Sequence, residues 1–304
     1  MDQNIYLVEK KLSTMKVIFL GTAASKPTKD RGLSSIAIQY KSDVVLFDCG
    51  ENAQRQMISL IKPSKISSIF LTHFHGDHIL GIPGLLMTMS LNERKDPLSI
   101  YGPEKTVYFI KNLLRGGYFG ISFDVHIKEL KDKDVVDFED FYIQAFETKH
   151  GIPSLGYIFK EKDRRGSFIE NKAKELGIKG KMFSELERKG EIIINGKKIK
   201  LEDVTGPKKI GRSIVYTGDT LPLDIPFRGC DLLIHDGTFL TDEDRNGTFH
   251  STVKEACEAA LRIEAKKLVL THISQRYTSD EIQKEALKYF ENTIVAEDFT
   301  VIEL

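Results

Sequence analysis

Apolar positions along the chain fall into short runs bounded by polar residues or glycine. Residues 15–21 (MKVIFLG), 34–40 (SSIAIQY) and 43–50 (DVVLFDCG) read as strands, and the polar pair Lys41 and Ser42 suits a tight hairpin. Residues 65–73 (KISSIFLTH) read as a buried strand whose apolar run stops at Thr72 and His73. Beyond it, Ile79, Leu80, Ile82, Leu85, Leu86 and Met89 return at helical spacing, which predicts a helix up to Leu91. A short strand at 98–103 closes on Gly-Pro and leads into a helix through Leu114, and four further strands are predicted between 123 and 159. Strand signals resume at 211–219 (GRSIVYTGD) and 230–236 (CDLLIHD). A helix at 252–264, the strand 267–272 (KLVLTH), a helix at 279–290 and terminal strands complete the pattern. The first half is richer in hairpins, the second alternates strand and helix, and both halves make sheets that need helices on one face. The sum is an α/β chain with a four-layer αββα sandwich in one domain, 15–304. Residues 1–14 show no clear period and are expected to be an N-terminal extension or a tag, with Met15 a candidate start.

Composition narrows the class. A chain of 304 residues can bury a full core without disulfides, and 41% hydrophobic residues exclude a disordered or collagen-like chain. Three scattered cysteines, Cys49, Cys230 and Cys257, make no framework and point to a reducing compartment, the cytoplasm. No run of 18 apolar residues occurs, and residues 1–14 lack the apolar centre of a signal peptide or anchor, so no membrane role is expected. Lys and Arg (44) balance Asp and Glu (44), which leaves no global pull toward polyanions. The balance is local, however. Residues 160–200 hold 13 Lys/Arg against 7 Asp/Glu, a net of +6, so the remainder carries −6. The commoner reading of such a stretch is a solvated insertion, the sharper one a basic arm for a polyanion; composition does not choose between them. The insertion spans about 160–207, is too short and too polar to be a free domain, and returns to the sandwich at Gly206-Pro207.

The chemistry concentrates in His73-Phe74-His75-Gly76-Asp77-His78. Histidines at i and i+2 project to one side of an extended chain, and an Asp and a His opening a helical turn can face the same point from another direction. Imidazole nitrogen and carboxylate oxygen are ligands for zinc, and also for iron or manganese. Further ligands should lie at strand ends, where loops converge. His150, Asp219 and His272 each follow an apolar strand in this way. Asp48 ends the strand 44–47; it either holds a ligand imidazole in one tautomer or orders the turn at Gly50. His235 reads as structural, and His126 is given no role.

The motif HxHxDH, a distal His, the Asp of TGDT and the His of TH together resemble the metallo-β-lactamase superfamily from Met15 to Leu304. Within it the chain is similar to the ribonuclease Z family, in its short form. The matching segments are FLGTAASKPTKDRGLSS with its Pro27-Thr28-Lys29-Asp30-Arg31-Gly32 loop, LFDCGE (46–51), FHST (249–252) and THISQRY (271–277). The resemblance implies a metallo-β-lactamase sandwich carrying two zinc ions, with manganese or iron as alternatives. One would be held by His73, His75 and His150, the other by Asp77, His78 and His272, with Asp219 shared. It implies an endoribonuclease that cuts the 3′ trailer from precursor tRNA after the discriminator, leaving a 3′-hydroxyl, through a hydroxide bridging the metals. Asp77 would also help hold that water. His250 would protonate the leaving oxygen. The family pairs that histidine with a Glu, whereas Asp236 stands here, a shorter group that must sit closer or act through water. Lys29 and Arg31 would lie near the site and sense the tRNA 3′ end, although Gly32 replaces the family's Asn. Arg276, in the last motif, reads either as a phosphate contact near the metals or as a helix-flanking surface residue. The basic insertion falls where the family carries a flexible tRNA-gripping arm, and the family implies a homodimer. The rival readings are another hydrolase of this fold acting on a thioester, an aryl ester or a small phosphodiester, and a non-catalytic tRNA-binding protein, which would be expected to lack ligands.

Overall fold

A computed structural model describes residues 15–304; the expectation for residues 1–14 lies outside the described residues. Sixteen strands follow in order: β1 (Met15–Gly21), β2 (Ser35–Tyr40), β3 (Asp43–Phe47), β4 (Ile66–Phe70), β5 (Leu98–Gly102), β6 (Val125–Glu129), β7 (Val135–Asp137), β8 (Phe141–Glu147), β9 (Leu155–Glu161), β10 (Glu191–Ile194), β11 (Lys197–Lys200), β12 (Ser213–Tyr216), β13 (Leu232–Asp236), β14 (Leu268–Thr271), β15 (Thr293–Val295) and β16 (Val301–Glu303). They form two seven-stranded sheets, ordered β16-β1-β2-β3-β4-β5-β6 and β15-β14-β13-β12-β9-β8-β7, and the separate hairpin β10-β11. The predicted α/β class and four-layer arrangement are what the chain adopts.

Alternation along the strands builds the layers. In β3, Val44 and Leu46 pack with Ile82, Leu85, Leu86 and Met89 of the helix Ile82–Leu91. Phe47 points the other way, to Tyr157 of β9 and Tyr216 of β12, with ring centroids 5.6 and 5.9 Å apart. The second sheet repeats the scheme: Leu233 of β13 and Leu268 and Leu270 of β14 pack with Val253, Ala256, Cys257 and Ala260 of the helix Val253–Arg262. That helix opens on Thr252, whose hydroxyl and Glu255 form a capping box.

Parallel pairing sets where the site lies. β3-β4-β5-β6 run parallel, as do β12-β13-β14-β15, so in each set the carboxyl ends open onto one edge. Asp48, Thr72, Asp219, Asp236 and His272 all follow or end these strands. Asp48 (φ 55°) and His272 (φ 57°) adopt left-handed backbone, a strained choice for residues other than glycine and one often found where side-chain aim matters.

One predicted helix is two. The periodic run from Ile79 to Leu91 breaks at Leu80-Gly81, between the turn Gly76–Ile79 and the helix Ile82–Leu91. Gly81 N–H donates to Cys49 O at 2.9 Å, and a Cβ there would lie 2.1 Å from Gly50 O, so only glycine permits this close approach. Periodicity registers the buried face but not the backbone contact that interrupts it.

Residues 138–142 and 160–212 form a second compact unit. It holds the helices Glu170–Glu175 and Lys181–Lys189 and the hairpin β10-β11. Its polar composition conceals a small core of Ala173, Ile178, Leu186, Ile192, Ile199 and Val204. Much of its positive charge is paired: Arg164 with Glu161, Arg165 with Glu187, Lys174 with Glu170, Lys189 with Glu185 and Lys198 with Glu191. Among the described residues no helix is long and apolar enough to cross a membrane.

Candidate metal and active site

His73 lies just past β4, His75 opens the turn Gly76–Ile79, and that turn supplies Asp77 and His78. His150 follows β8, Asp219 follows β12 and His272 follows β14. All seven converge. His75 Nδ1 lies 3.0 Å from both His73 Nε2 and His150 Nε2, and Asp77 Oδ2 lies 3.6 Å from His78 Nε2 and 3.4 Å from His272 Nε2. Asp219 Oδ2 sits between the groups, 3.3 Å from His78 Nε2 and from His272 Nε2, 3.7 Å from His73 Nε2 and 3.8 Å from His150 Nε2. The triads His73/His75/His150 and Asp77/His78/His272 each gather their ligand atoms within 4.8 Å.

The placement of protons tests whether cations belong here. His78 Nδ1 faces Asp48 Oδ2 at 2.9 Å and must donate to it; His150 Nδ1 must donate to Phe249 O at 2.9 Å. Each ring therefore turns Nε2 inward, and His78 Nε2 is buried without a hydrogen-bond partner among the described residues. Inward nitrogens and two carboxylates in one pocket require positive charge between them, so the residues fit bound metal ions. The proton equilibria show the same demand. Burial disfavours charge on every member, yet Asp219 and Asp48 lift His78 well above the usual histidine range. Burial would raise Asp219 too, but the charges of His272 and His78 hold it well below the carboxylate range. Burial pushes His73, His75 and His150 down, toward the neutral form that binds metals.

Asp48 is fully buried, and besides His78 it accepts from Tyr216 Oη at 2.9 Å and from Thr72 N at 2.8 Å. Asp236, the last residue of β13, reaches His250 Nδ1 directly, 2.9 Å from its Oδ2, with no intervening water needed. The main-chain N–H groups of Thr220 and Ser251 and both the N–H and the hydroxyl of Thr238 also donate to this carboxylate. Burial would depress His250, but Asp236 outweighs it and the imidazole is lifted to about 9. The His250 ring stacks on His272, centroids 5.0 Å apart. His235 is buried beside this pair and donates from Nδ1 to Asp236 O at 2.9 Å; His126 is exposed on β6.

The loop residues divide. Lys29 is exposed and lines an open groove of about 840 Å³ with Pro27, Asn52, Arg55 and Phe299. Arg31 lines the same groove, and its guanidinium is held there: its Nη1 donates to Thr22 Oγ1 and Ala296 O, both at 2.6 Å, and its Nη2 to Ser279 Oγ at 2.8 Å. Asp298, absent from the sequence reading, completes this brace by accepting from Thr22 Oγ1, Gly32 N and Gln56 Nε2 at 2.6–2.7 Å. A Cβ on Gly32 would lie 3.2 Å from Gln56 Nε2 and 3.3 Å from Asp298 Oδ2, so both side chains would have to give by a few tenths of an ångström. The brace bears on the metal ligands, because Ser25 N–H in the same loop donates to Asp77 Oδ2 at 3.0 Å. Asp298→Ala strands three donors and is expected to lower folding stability by about 3 kcal/mol, checked by denaturant unfolding. Arg276 is exposed and lies 6.0 Å over the Phe239 ring, which in turn meets the His250 ring edge-on at 6.0 Å. Thr72 and Thr238 take no role in the sequence reading, since a lone threonine carries no chemical signal.

The two sheets, with these strand ends facing one another, define the β-lactamase superfamily fold. Residues 205–273 match the family described as "Beta-lactamase superfamily domain", and residues 15–169 match "Anti-Pycsar protein Apyc1". A crystal structure of the metallo-β-lactamase fold protein YhfI from Bacillus subtilis superposes with a TM-score of 0.71 at 21% identity, covering 96% of this chain and 100% of that one. The chain belongs to the ribonuclease Z family: it is 50% identical over 290 residues to Ribonuclease Z of Pyrococcus horikoshii, across 94% of each chain. The crystal structure of the human short-form tRNase Z is similar at 29% identity and a TM-score of 0.67, over 94% of this chain and 98% of that one.

Proposed function

We propose that this protein is the endoribonuclease that removes the 3′ trailer from precursor tRNA, cutting after the discriminator nucleotide and leaving a 3′-hydroxyl. The observation that carries the reading is Asp219 Oδ2, shared by four inward-facing imidazoles in a set with no ligand missing. His73, His75 and His150 would hold one divalent ion and Asp77, His78 and His272 the other, with Asp219 between; zinc suits the donors, with manganese or iron as alternatives. Such ions, when bound, acidify water and offset the charge that builds on the phosphate oxygens. The chain supplies the remaining proton. Asp236 keeps His250 protonated through Nδ1, which leaves Nε2 to protonate the departing 3′-oxygen. On this reading Arg276 would meet a phosphate, and Lys29 would line the path of the RNA end.

Precursor tRNA extended at its 3′ end, incubated with and without a chelator beside a thioester and a chromogenic phosphodiester, tests the substrate. Chelator-sensitive cleavage mapped to the discriminator is expected. Hydrolysis of the small ester alone would overturn the reading and favour a small-molecule phosphodiesterase.

The state of His250 predicts a pH effect. The reaction uses its protonated form, so kcat is expected to hold through neutrality and to fall as pH rises through about 9. In Asp236→Asn the largest lifting charge is gone, only Asp219 still opposes burial, and the fall moves to lower pH. A kcat–pH profile on precursor tRNA checks this, and an unmoved alkaline limb would remove Asp236 from the role.

We further propose a homodimer, since Leu80, Met87 and Leu91 stand exposed beside the buried Ile82, Leu85, Leu86 and Met89 of the same helical run. A cytoplasmic setting accords with three buried free cysteines.

A further inference from the structure

We propose that Thr72 and Thr238 are positioning residues, each a hydroxyl relay that fixes which nitrogen one ligand imidazole turns toward the metal site. The inference rests on the metal-binding reading above. Two matching constellations carry it. Asp48, just past β3, holds His78 Nδ1 directly at 2.9 Å; Asp236, at the end of β13, holds His250 Nδ1 directly at 2.9 Å. Each carboxylate reaches a second imidazole through a threonine. Thr72 Oγ1 lies 3.1 and 2.9 Å from the two Asp48 oxygens and 2.9 Å from His73 Nδ1. Thr238 Oγ1 lies 2.6 Å from Asp236 Oδ1, 2.8 Å from His272 O and 2.9 Å from His272 Nδ1. In both, the threonine's own N–H also donates to the carboxylate Oδ1, at 2.8 Å for Thr72 and 3.0 Å for Thr238. Both threonines are buried.

Proton counting gives the arrangement its direction. A hydroxyl has one hydrogen and two lone pairs, while an ionised carboxylate and a main-chain carbonyl only accept. The threonine hydrogen therefore goes to an oxygen, and the hydroxyl can only accept from Nδ1–H of the imidazole. With its proton held on Nδ1, His73 presents Nε2 to the cluster 3.7 Å from Asp219 Oδ2, and His272 presents Nε2 3.3 Å from the same atom. Without the hydroxyl, the ring is free to carry its proton on Nε2 and close the ligand position. The two relays serve different triads: Thr72 acts on the His73 side and Thr238 on the His272 side. They are built differently in sequence, since Thr72 adjoins its own histidine whereas Thr238 reaches His272 from another strand end.

The test uses full-length protein and zinc. Zinc is stripped and returned in competition with a chromophoric chelator for wild type, Thr72→Val, Thr238→Val and the serine variants Thr72→Ser and Thr238→Ser. Each valine variant is expected to weaken one ion by about 10–100-fold while the other stays at wild-type affinity, and serine is expected to restore the lost one. Cobalt, bound in place of zinc, should show its visible absorption altered in only one of the two ions. Valine variants that bind both ions as wild type does would overturn the proposal. So would serine as weak as valine, or equal loss of both ions together with a lower melting temperature of the stripped protein. The readout needs no RNA, so failure of the tRNA reading remains separate. A wild-type protein that takes up no zinc would remove the metal reading and this inference together.

Discussion

Asp219→Ala is expected to lose both metal ions and to cut precursor tRNA at least about 10³-fold more slowly, because the several kcal/mol of charge stabilisation that a metal pair supplies disappears with it. Asp219 stands between the two ligand triads. Its Oδ2 lies within 3.3–3.9 Å of His73, His78, His150, His272 and His250. Asp219→Asn separates charge from shape: the amide fills the same space but cannot balance cations, so it should fail nearly as badly. The fold should survive, because Asp48 still pairs with His78 through Nδ1. Metal content by elemental analysis, beside cleavage rates, checks this. Two ions retained in either variant would sink the assignment of Asp219 as the shared ligand.

Removing residues 168–205 is expected to raise the Kd for precursor tRNA on the order of 10²-fold at physiological salt, while hydrolysis of a small phosphodiester continues. The ends of that segment already meet, because Gly206 N–H donates to Ser167 O at 2.9 Å. A cut confined to 166–198 would strand Ile199 and Val204 of the small core. Residues 168–205 hold nine Lys/Arg against seven Asp/Glu. Many of these pair with one another, whereas Lys172, Lys179, Lys181, Arg188 and Lys197 form no salt bridge among the described residues and would be the cations free to meet phosphate. Binding isotherms across a salt series check the prediction: the slope of log K against log salt should flatten on deletion. Equal loss of both activities would mean instead that the segment is needed for folding.

The metal-site candidates were legible because their signal is local. Four ligand-type residues within six positions after an apolar strand, and single His or Asp residues after three other strands, can be read without a structure, as can the alternation that defines the sheets. Asp48 was readable only as an ambiguity, and its contact with His78, thirty positions on, resolves it. The shorter Asp236 left its pairing with His250 open, and the end of β13 brings the two together. Arg31 was readable only as a cation in a suggestive loop, and its hydrogen bonds to Thr22, Ala296 and Ser279 needed the fold.

Sequence by itself determined which positions are buried and where polar ligands interrupt apolar runs, because burial periodicity is written over two to four neighbouring residues. Tertiary structure alone decided the rest: which nitrogen each imidazole presents, that Thr72 and Thr238 stand beside their carboxylates, that Asp298 anchors the loop carrying Ser25, and that a polar insertion encloses a core. Each depends on a hydrogen bond or packing contact between segments far apart in the chain, and such a partner is selected only when the sheets have formed and brought their strand ends face to face.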